Sequence, residues 1–233
     1  MATVAYVRPE TSRVKTVVLD VPGWEGHRAG QHVDVRLTAE DGYQAQRSYS
    51  IASAADESRV DLTVERLDDG EVSPYLTEEA MPGDQLEIRG PVGGYFVWDP
   101  EPGGPVLLAG GGSGVVPLMA MARQRAAHGD EVPTRLLYSA RSCDDVIYRD
   151  ELERLVGDGL DVVYTLTREQ PEGWTGYARR VDRELLAEVV PEGLALAFVC
   201  GPTPFVESVA ATLVDLGHDP LRIKTERFGP TGG

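Results

Sequence analysis

Positive charge, cysteine and long apolar runs are all scarce in this sequence, and each scarcity excludes a class of function. Lysine and arginine number 22 against 38 acidic residues, a formal charge of -16 that runs through both halves of the chain. A nucleic-acid binder or a basic membrane-surface protein needs a positive footprint, so neither partner is expected. The two cysteines, Cys143 and Cys200, are too few and too far apart for a disulfide framework or a thiolate metal site. No apolar run approaches the ~18 residues of a membrane span. The opening residues, MATVAYVRPETSRVKT, lack the apolar core of a signal peptide. His27, His32, His128 and His218 have no metal-ligand spacing. The expectation is an acidic protein of the cytoplasm, without metal, nucleic acid or membrane.

What is present is an ordinary globular balance, 42% apolar and 26% charged over 233 residues. The two halves follow different periods. Up to about Glu101, short alternating stretches (Lys15–Val21, His32–Leu37, Arg59–Glu65, Gln85–Arg89, Gly94–Trp98) are separated by Gly and Pro turns, which predicts an antiparallel barrel or sandwich. One helix is expected over Val72–Ala80, with Ser73 capping a first turn opened by Pro74. After Glu101–Pro105, continuous apolar runs at Val106–Ala109, Leu136–Tyr138, Val162–Leu166, Leu194–Cys200 and Leu221–Ile223 alternate with helix-length segments near 115–128, 149–156, 182–189 and 204–216. That alternation predicts a parallel α/β sheet. The domains are accordingly 1–101 and 105–233.

Between Leu108 and Pro117 the chain reads as a buried strand, a glycine turn and a helix start. Glycines let backbone N–H groups approach a pyrophosphate, and a helix N-terminus favours its charge. The Rossmann spacing is not met, because Val115 stands at the third glycine's place after Gly110 and Gly112. A tight βα turn with no ligand is the other reading. Upstream, Arg47-Ser48-Tyr49-Ser50-Ile51-Ala52-Ser53 places a cation, an aromatic plate and a hydroxyl along an extended segment, read as facing one way. This suits a phosphorylated planar ligand; a plain surface strand is the alternative.

These segments together resemble the ferredoxin–NADP reductase superfamily of flavoenzymes. Arg47–Ser53 matches its Arg-x-Tyr-Ser-x-x-Ser flavin signature, and Ala29-Gly30-Gln31 is similar to its Pro-Gly-Gln strand start. Gly70–Ser73 resembles its phosphate segment, Gly90–Phe96 its Gly-Pro turn, and Gly110–Pro117 its nucleotide loop. Cys200-Gly201-Pro202 is similar to its Cys-Gly-Pro motif, and Thr225–Phe228 to its acidic-aromatic ending. The resemblance implies a Greek-key flavin barrel followed by a nicotinamide-nucleotide-binding α/β domain. It implies that Arg47 pairs with the FAD pyrophosphate, that Tyr49 lies on the ring and that Ser50 bonds near N5. Ile51 and Ser53 would meet the ring edge and ribityl chain, and Val72 and Ser73 the pyrophosphate. Gly111, Gly112, Ser113, Gly114, Gly201 and Pro202 would hold the nicotinamide nucleotide, with Cys200 at the hydride-transfer point. Glu226 would relay a proton through Ser50, and Phe228 would cover the flavin, followed by a glycine-rich tail, Gly229–Gly233.

Arg141, Thr167 and Arg168 stand where a 2′-phosphate would be gripped, with Arg179 and Arg180 nearby, and favour NADP(H) over NAD(H). Asp144 and Asp145 argue the other way, and arginine is the routine cation here, with two lysines in all. No iron–sulfur cysteine spacing is present. The implied function is therefore electron transfer from NAD(P)H through FAD to a separate ferredoxin, flavodoxin or oxygenase component. Arg8, Arg13, Lys15, Arg28 and Arg36 could form a patch for an acidic partner, but scattered surface charge is the favoured reading. A flavin-binding conduit or regulatory subunit inactive alone, a flavin-free nucleotide sensor, and FMN in place of FAD stay open.

Overall fold

Residues that alternate in polarity must bury one face, and the first half does so by closing a sheet. The computed structural model describes residues 1–55, 59–98, 103–129, 132–157 and 159–228. Its first six strands are β1 (Ala2–Pro9), β2 (Val14–Asp20), β3 (His32–Thr38), β4 (Gln44–Ser50), β5 (Arg59–Glu65) and β6 (Gln85–Val92). They form one antiparallel sheet in the order β4-β3-β6-β1-β2-β5, an order of the Greek-key type. Just past β4, Ile51 bridges Leu62, and the Ala52 N–H donates to the Asp61 carbonyl at 2.8 Å. The two outer strands thereby meet, which closes the barrel. Val60, Leu62 and Val64 of β5 pack inside with Val17, Leu19 and Val33.

Two expectations in this half are corrected. Gly94–Trp98 is not a strand but a bent segment, with Phe96, Val97 and Trp98 buried and the Trp98 N–H on the Ala29 carbonyl at 3.2 Å. Its apolar residues are anchors rather than one face of a ladder. The expected helix over Val72–Ala80 is present, with π geometry over Tyr75–Glu79, but Ser73 does not cap it. The Ser73 hydroxyl instead accepts the Leu67 N–H at 3.1 Å.

The second half follows the longer period. Strands β7 (Val106–Gly111), β8 (Thr134–Ala140), β9 (Leu160–Leu166), β10 (Leu196–Pro202) and β11 (Ile223–Phe228) alternate with α1 (Val115–His128), α2 (Arg149–Gly157), α3 (Arg183–Val189) and α4 (Thr203–Asp215). The five strands are parallel, in the order β11-β10-β7-β8-β9. Every residue of the central β7 is buried, as a strand covered on both faces requires. The run expected as a strand at Leu221–Ile223 begins instead as a 3-10 turn over Pro220–Arg222, capped by Asp219. Pro220 and the Asp219 carboxylate favour a turn, and β11 starts only at Ile223. The chain packs as two compact units, Met1–Asp99 with Met119–Gln124 and Pro100–Leu118 with Arg125–Gly233. Among the described residues, no helix is long and apolar enough to cross a membrane.

Candidate functional site

In the second unit the winding reverses at one place. From β7 the chain proceeds outward to β8 and β9, then returns to lay β10 on β7's other side. The gap between the ends of β7 and β10 is the topological switch point, where open α/β sheets bind ligands. The glycine turn lies there. Gly112–Gly114 form a 3-10 turn leading into α1, whose N-terminus has no side-chain cap. Gly112 has φ +56°, a conformation that a side chain disfavours. A Cβ on Gly114 would stand 2.2 Å from the Cys200 carbonyl oxygen, so only glycine lets the turn lie against the end of β10. Gly111 and Gly201 both back onto the Phe205 ring, where a Cβ would come within 3.0 Å of it. Gly112, Ser113 and Pro202 reach the surface, whereas Gly111, Gly114 and Gly201 are enclosed. The sequence reading misses Phe205, although it lies only three residues past Pro202 of the Cys-Gly-Pro run.

Cys200 and Glu226 are register partners on β10 and β11. The Cys200 thiol lies 3.7 Å from Glu226 Oε2. Cys200 is fully buried, so its sulfur meets this carboxyl and offers no surface to an external group in this arrangement. The resemblance puts this thiol at the hydride-transfer point; in this arrangement its polar contact is the Glu226 carboxyl. Burial pushes the thiol well above its ordinary value, with the Glu226 charge adding to the effect. Burial likewise pushes the Glu226 carboxyl up to about 7, opposed by its bond to Cys200. A carboxyl poised near neutrality is suited to exchange a proton. Phe228 ends β11 opposite Pro202; the tail after it, Gly229–Gly233, lies outside the described residues.

The turns after β8 and β9 join. The Thr167 N–H and hydroxyl both donate to the Ala140 carbonyl, at 3.0 and 3.2 Å. The N–H groups of Arg168 and Glu169 donate to the Arg141 carbonyl at 2.9 and 3.1 Å. Arg141 and Arg168 are thus exposed on one edge, without a carboxylate partner among the described residues. Arg179 is engaged with its own neighbours in this arrangement. It pairs with Glu184 at 3.0 Å and with Asp182 at 3.5 Å, and it lies over the Tyr177 ring.

In the first unit, β4 pairs with β3 so that Arg47 faces Val35 and Tyr49 faces Val33, while Ser48 faces Asp34. Arg47 and Tyr49 share one face and Ser50 lies on the other, because strand side chains alternate. The expected single face is therefore split. Tyr49 packs against the barrel core, and burial pushes its hydroxyl up. Ile51 and Ser53 are fully buried: the Ile51 N–H donates to the Gln31 carbonyl, and the Ser53 hydroxyl accepts the Asp61 N–H. His27 Nε2 lies 3.1 Å from the Ser53 carbonyl. Ile51 and Ser53 thus tie the segment to its neighbours through these bonds. Val72 is fully buried too, and Ser73 nearly so.

Arg47 Nη2 donates to Glu71 Oε2 at 2.6 Å, which brings the signature strand to the Gly70–Ser73 segment. Three of the first half's cations are paired singly, in keeping with scattered surface charge. Arg8 pairs with Glu10, Arg13 with Asp68 and Arg36 with Glu87.

Comparison with known proteins places these parts in one family. The oxidoreductase FAD-binding domain model matches residues 10–97, and the oxidoreductase NAD-binding domain model matches residues 108–211. The glycine betaine monooxygenase reductase subunit of Chromohalobacter salexigens is 35% identical over 230 residues, which are 95% of this chain and 62% of that one. The chain therefore spans less than two thirds of that relative's length. NADH-cytochrome b5 reductase 1 of Aspergillus oryzae is 31% identical over 205 residues, covering 83% of this chain and 69% of that one. A crystal structure of a cytochrome P450 reductase from Amycolatopsis superposes with a TM-score of 0.86 at 28% identity, covering 99% of this chain and 70% of that one. The chain belongs to the ferredoxin–NADP reductase superfamily, with the FAD-binding and pyridine-nucleotide-binding domains of its oxidoreductases.

Proposed function

We propose that the protein takes a hydride from NAD(P)H onto FAD and passes the electrons to a separate acceptor protein: a ferredoxin, a flavodoxin or an oxygenase component. The observation that carries this reading is the uncapped glycine turn at the switch point, where Gly114 lies against the Cys200 backbone. It has the form of a dinucleotide cradle: a close backbone approach, an exposed Gly112 and a helix N-terminus that favours a pyrophosphate. Arg47, exposed beside Gly70–Ser73, fits the phosphate of a flavin. The FAD, when bound, accepts two electrons as a hydride and can release them singly.

The chain's own groups do the rest. Gly112, Ser113 and Pro202 hold the nicotinamide nucleotide; Gly111, Gly114 and Gly201 let the backbones approach. Glu226, with its carboxyl near 7, exchanges the proton that accompanies electron transfer. Cys200 fixes Glu226 in place. Arg141 and Arg168 take a 2′-phosphate, which makes NADPH the preferred donor. Supporting an oxygenase-type acceptor, the Chromohalobacter relative is a monooxygenase reductase subunit, and the Amycolatopsis structure is a cytochrome P450 reductase. Residence in the cytoplasm goes with this role, and both cysteines are free thiols.

The test is FAD-dependent reduction of a one-electron dye by the purified chain, with NADPH and NADH as alternative donors. A rate that requires FAD and is higher with NADPH supports the reading. No FAD-dependent rate with either donor overturns it.

A further inference from the structure

The Gly70–Ser73 segment carries an acid where a phosphate is to be received. Val72 and Ser73 are buried and Gly70 is partly enclosed, so Glu71 is the side chain that the segment exposes. Its backbone is held from both sides: the Ser73 hydroxyl accepts the Leu67 N–H at 3.1 Å, and the Gly70 N–H donates to the Leu67 carbonyl at 3.0 Å. Glu71 Oε2 accepts from Arg47 Nη2 at 2.6 Å, and Glu71 Oε1 accepts from the Tyr43 hydroxyl. Arg47 Nη1 donates to the Gln46 carbonyl at 2.7 Å. Both carboxylate oxygens and both guanidinium arms are thus committed. The Tyr43 bond, together with Arg47, holds the Glu71 carboxyl below its ordinary range, so it is anionic at neutral pH.

Resting on the flavin reading of Arg47, we propose that Glu71 is a built-in competitor for the flavin phosphate, occupying Arg47 until the phosphate displaces it and so setting the affinity for flavin. A guanidinium presents one planar fork to an anion, and carboxylate and phosphate both fit it. The displaced carboxylate then stays within a few ångströms of the phosphate charges, and like charges at that range oppose binding. Both costs weaken flavin binding, and both vanish when Glu71 loses its charge. Tyr43 is the brace: its hydroxyl keeps Glu71 turned toward Arg47 from the β3–β4 hairpin. The pair is partly exposed, with side chains 39% and 41% accessible, so the effect is modest.

The test uses the full chain stripped of flavin and titrated separately with FAD, FMN and riboflavin, with flavin fluorescence as the readout. Glu71→Gln is expected to lower the Kd for FAD and FMN about five- to tenfold, the scale of an exposed pair plus one like charge. Riboflavin, which has no phosphate, is expected to bind both proteins equally. Tyr43→Phe should shift FAD in the same direction by about twofold. Unchanged or weaker FAD binding by Glu71→Gln overturns the proposal, and weaker binding would mean that Glu71 orients Arg47 instead. An equal gain for riboflavin also overturns it. If the unaltered chain binds FAD no better than riboflavin, the fault lies with the assignment of Arg47 to a phosphate, and the inference falls with it.

Discussion

In the first unit the groups able to meet a phosphate are side chains, Arg47 on β4 with Glu71 against it. In the second unit the groups offered to a pyrophosphate are backbone groups of the glycine turn, where Gly112 is exposed and Gly114 lies against Cys200. A side-chain site can be tuned by one charge without disturbing the fold. A backbone site cannot where, as at Gly114, the residue that shapes it also lets the turn pass within contact of β10. The first unit is therefore expected to tolerate substitution at its site, and the second to resist it where packing and site coincide.

Gly114→Ala should break that contrast most severely. Its Cβ would stand 2.2 Å from the Cys200 carbonyl oxygen, and both neighbours are backbone, so neither can turn aside. A lower melting temperature is expected, from overpacking of about 1–3 kcal/mol or more. Nucleotide-dependent reduction should fall by about 100-fold, since displacement of order 1 Å is enough for that. Gly112→Ala meets nothing within 4 Å, so it should cost only the positive-φ strain of about 1–2 kcal/mol. Equal damage from the two would erase the distinction between a packed glycine and an open one.

Arg47→Ala tests the side-chain site. Flavin affinity should fall by about 2–5 kcal/mol while the melting temperature of the flavin-free protein hardly moves. Flavin retention on dialysis checks the first, and a thermal melt the second. A large loss of stability would make Arg47 structural.

Glu226→Gln sharpens the second unit. The Glu226 carboxyl stands at about 7, above its ordinary 4.5. A raised carboxyl contributes stability while protonated, fully below pH 4.5, and that contribution is lost as pH rises through 7. Glutamine cannot ionise, so the variant should gain on the parent protein across that range, by about 3 kcal/mol at the alkaline end. Unfolding in denaturant from pH 5 to 8 measures it; parallel stability curves would deny that Glu226 titrates near neutrality. Smaller still is Arg168→Ala. Its loss should raise the KM for NADPH by the worth of a charge-assisted bond, about 1.5–3 kcal/mol, and leave NADH unchanged. An equal effect on both donors would remove Arg168 from the phosphate edge.

Much of this was legible in the chain because period carries architecture. β5 was bounded in full, and α1 falls where the apolar run after Pro117 places it. Glycine clusters marked the turn at the switch point because only that residue permits it. What escaped was tertiary. Gly94–Trp98 looks like a strand, since burial by anchoring and burial in a ladder leave the same apolar pattern. Ser73 looks like a cap because the hydroxyl's competitor, the Leu67 N–H, is six residues away and invisible to local rules. The split of Arg47 from Ser50 was readable from strand alternation alone. The Arg47–Glu71 pairing was not, because 24 residues separate the partners. An acid in a phosphate segment was the available signal.

Anaerobic stopped-flow absorbance, with the FAD-loaded protein mixed against NADPH and then NADH, tests the central claim most directly. The account predicts rapid loss of the oxidised-flavin absorbance with NADPH and slower loss with NADH. Bound flavin that neither nucleotide reduces, or a chain that takes up no flavin on reconstitution, would contradict it.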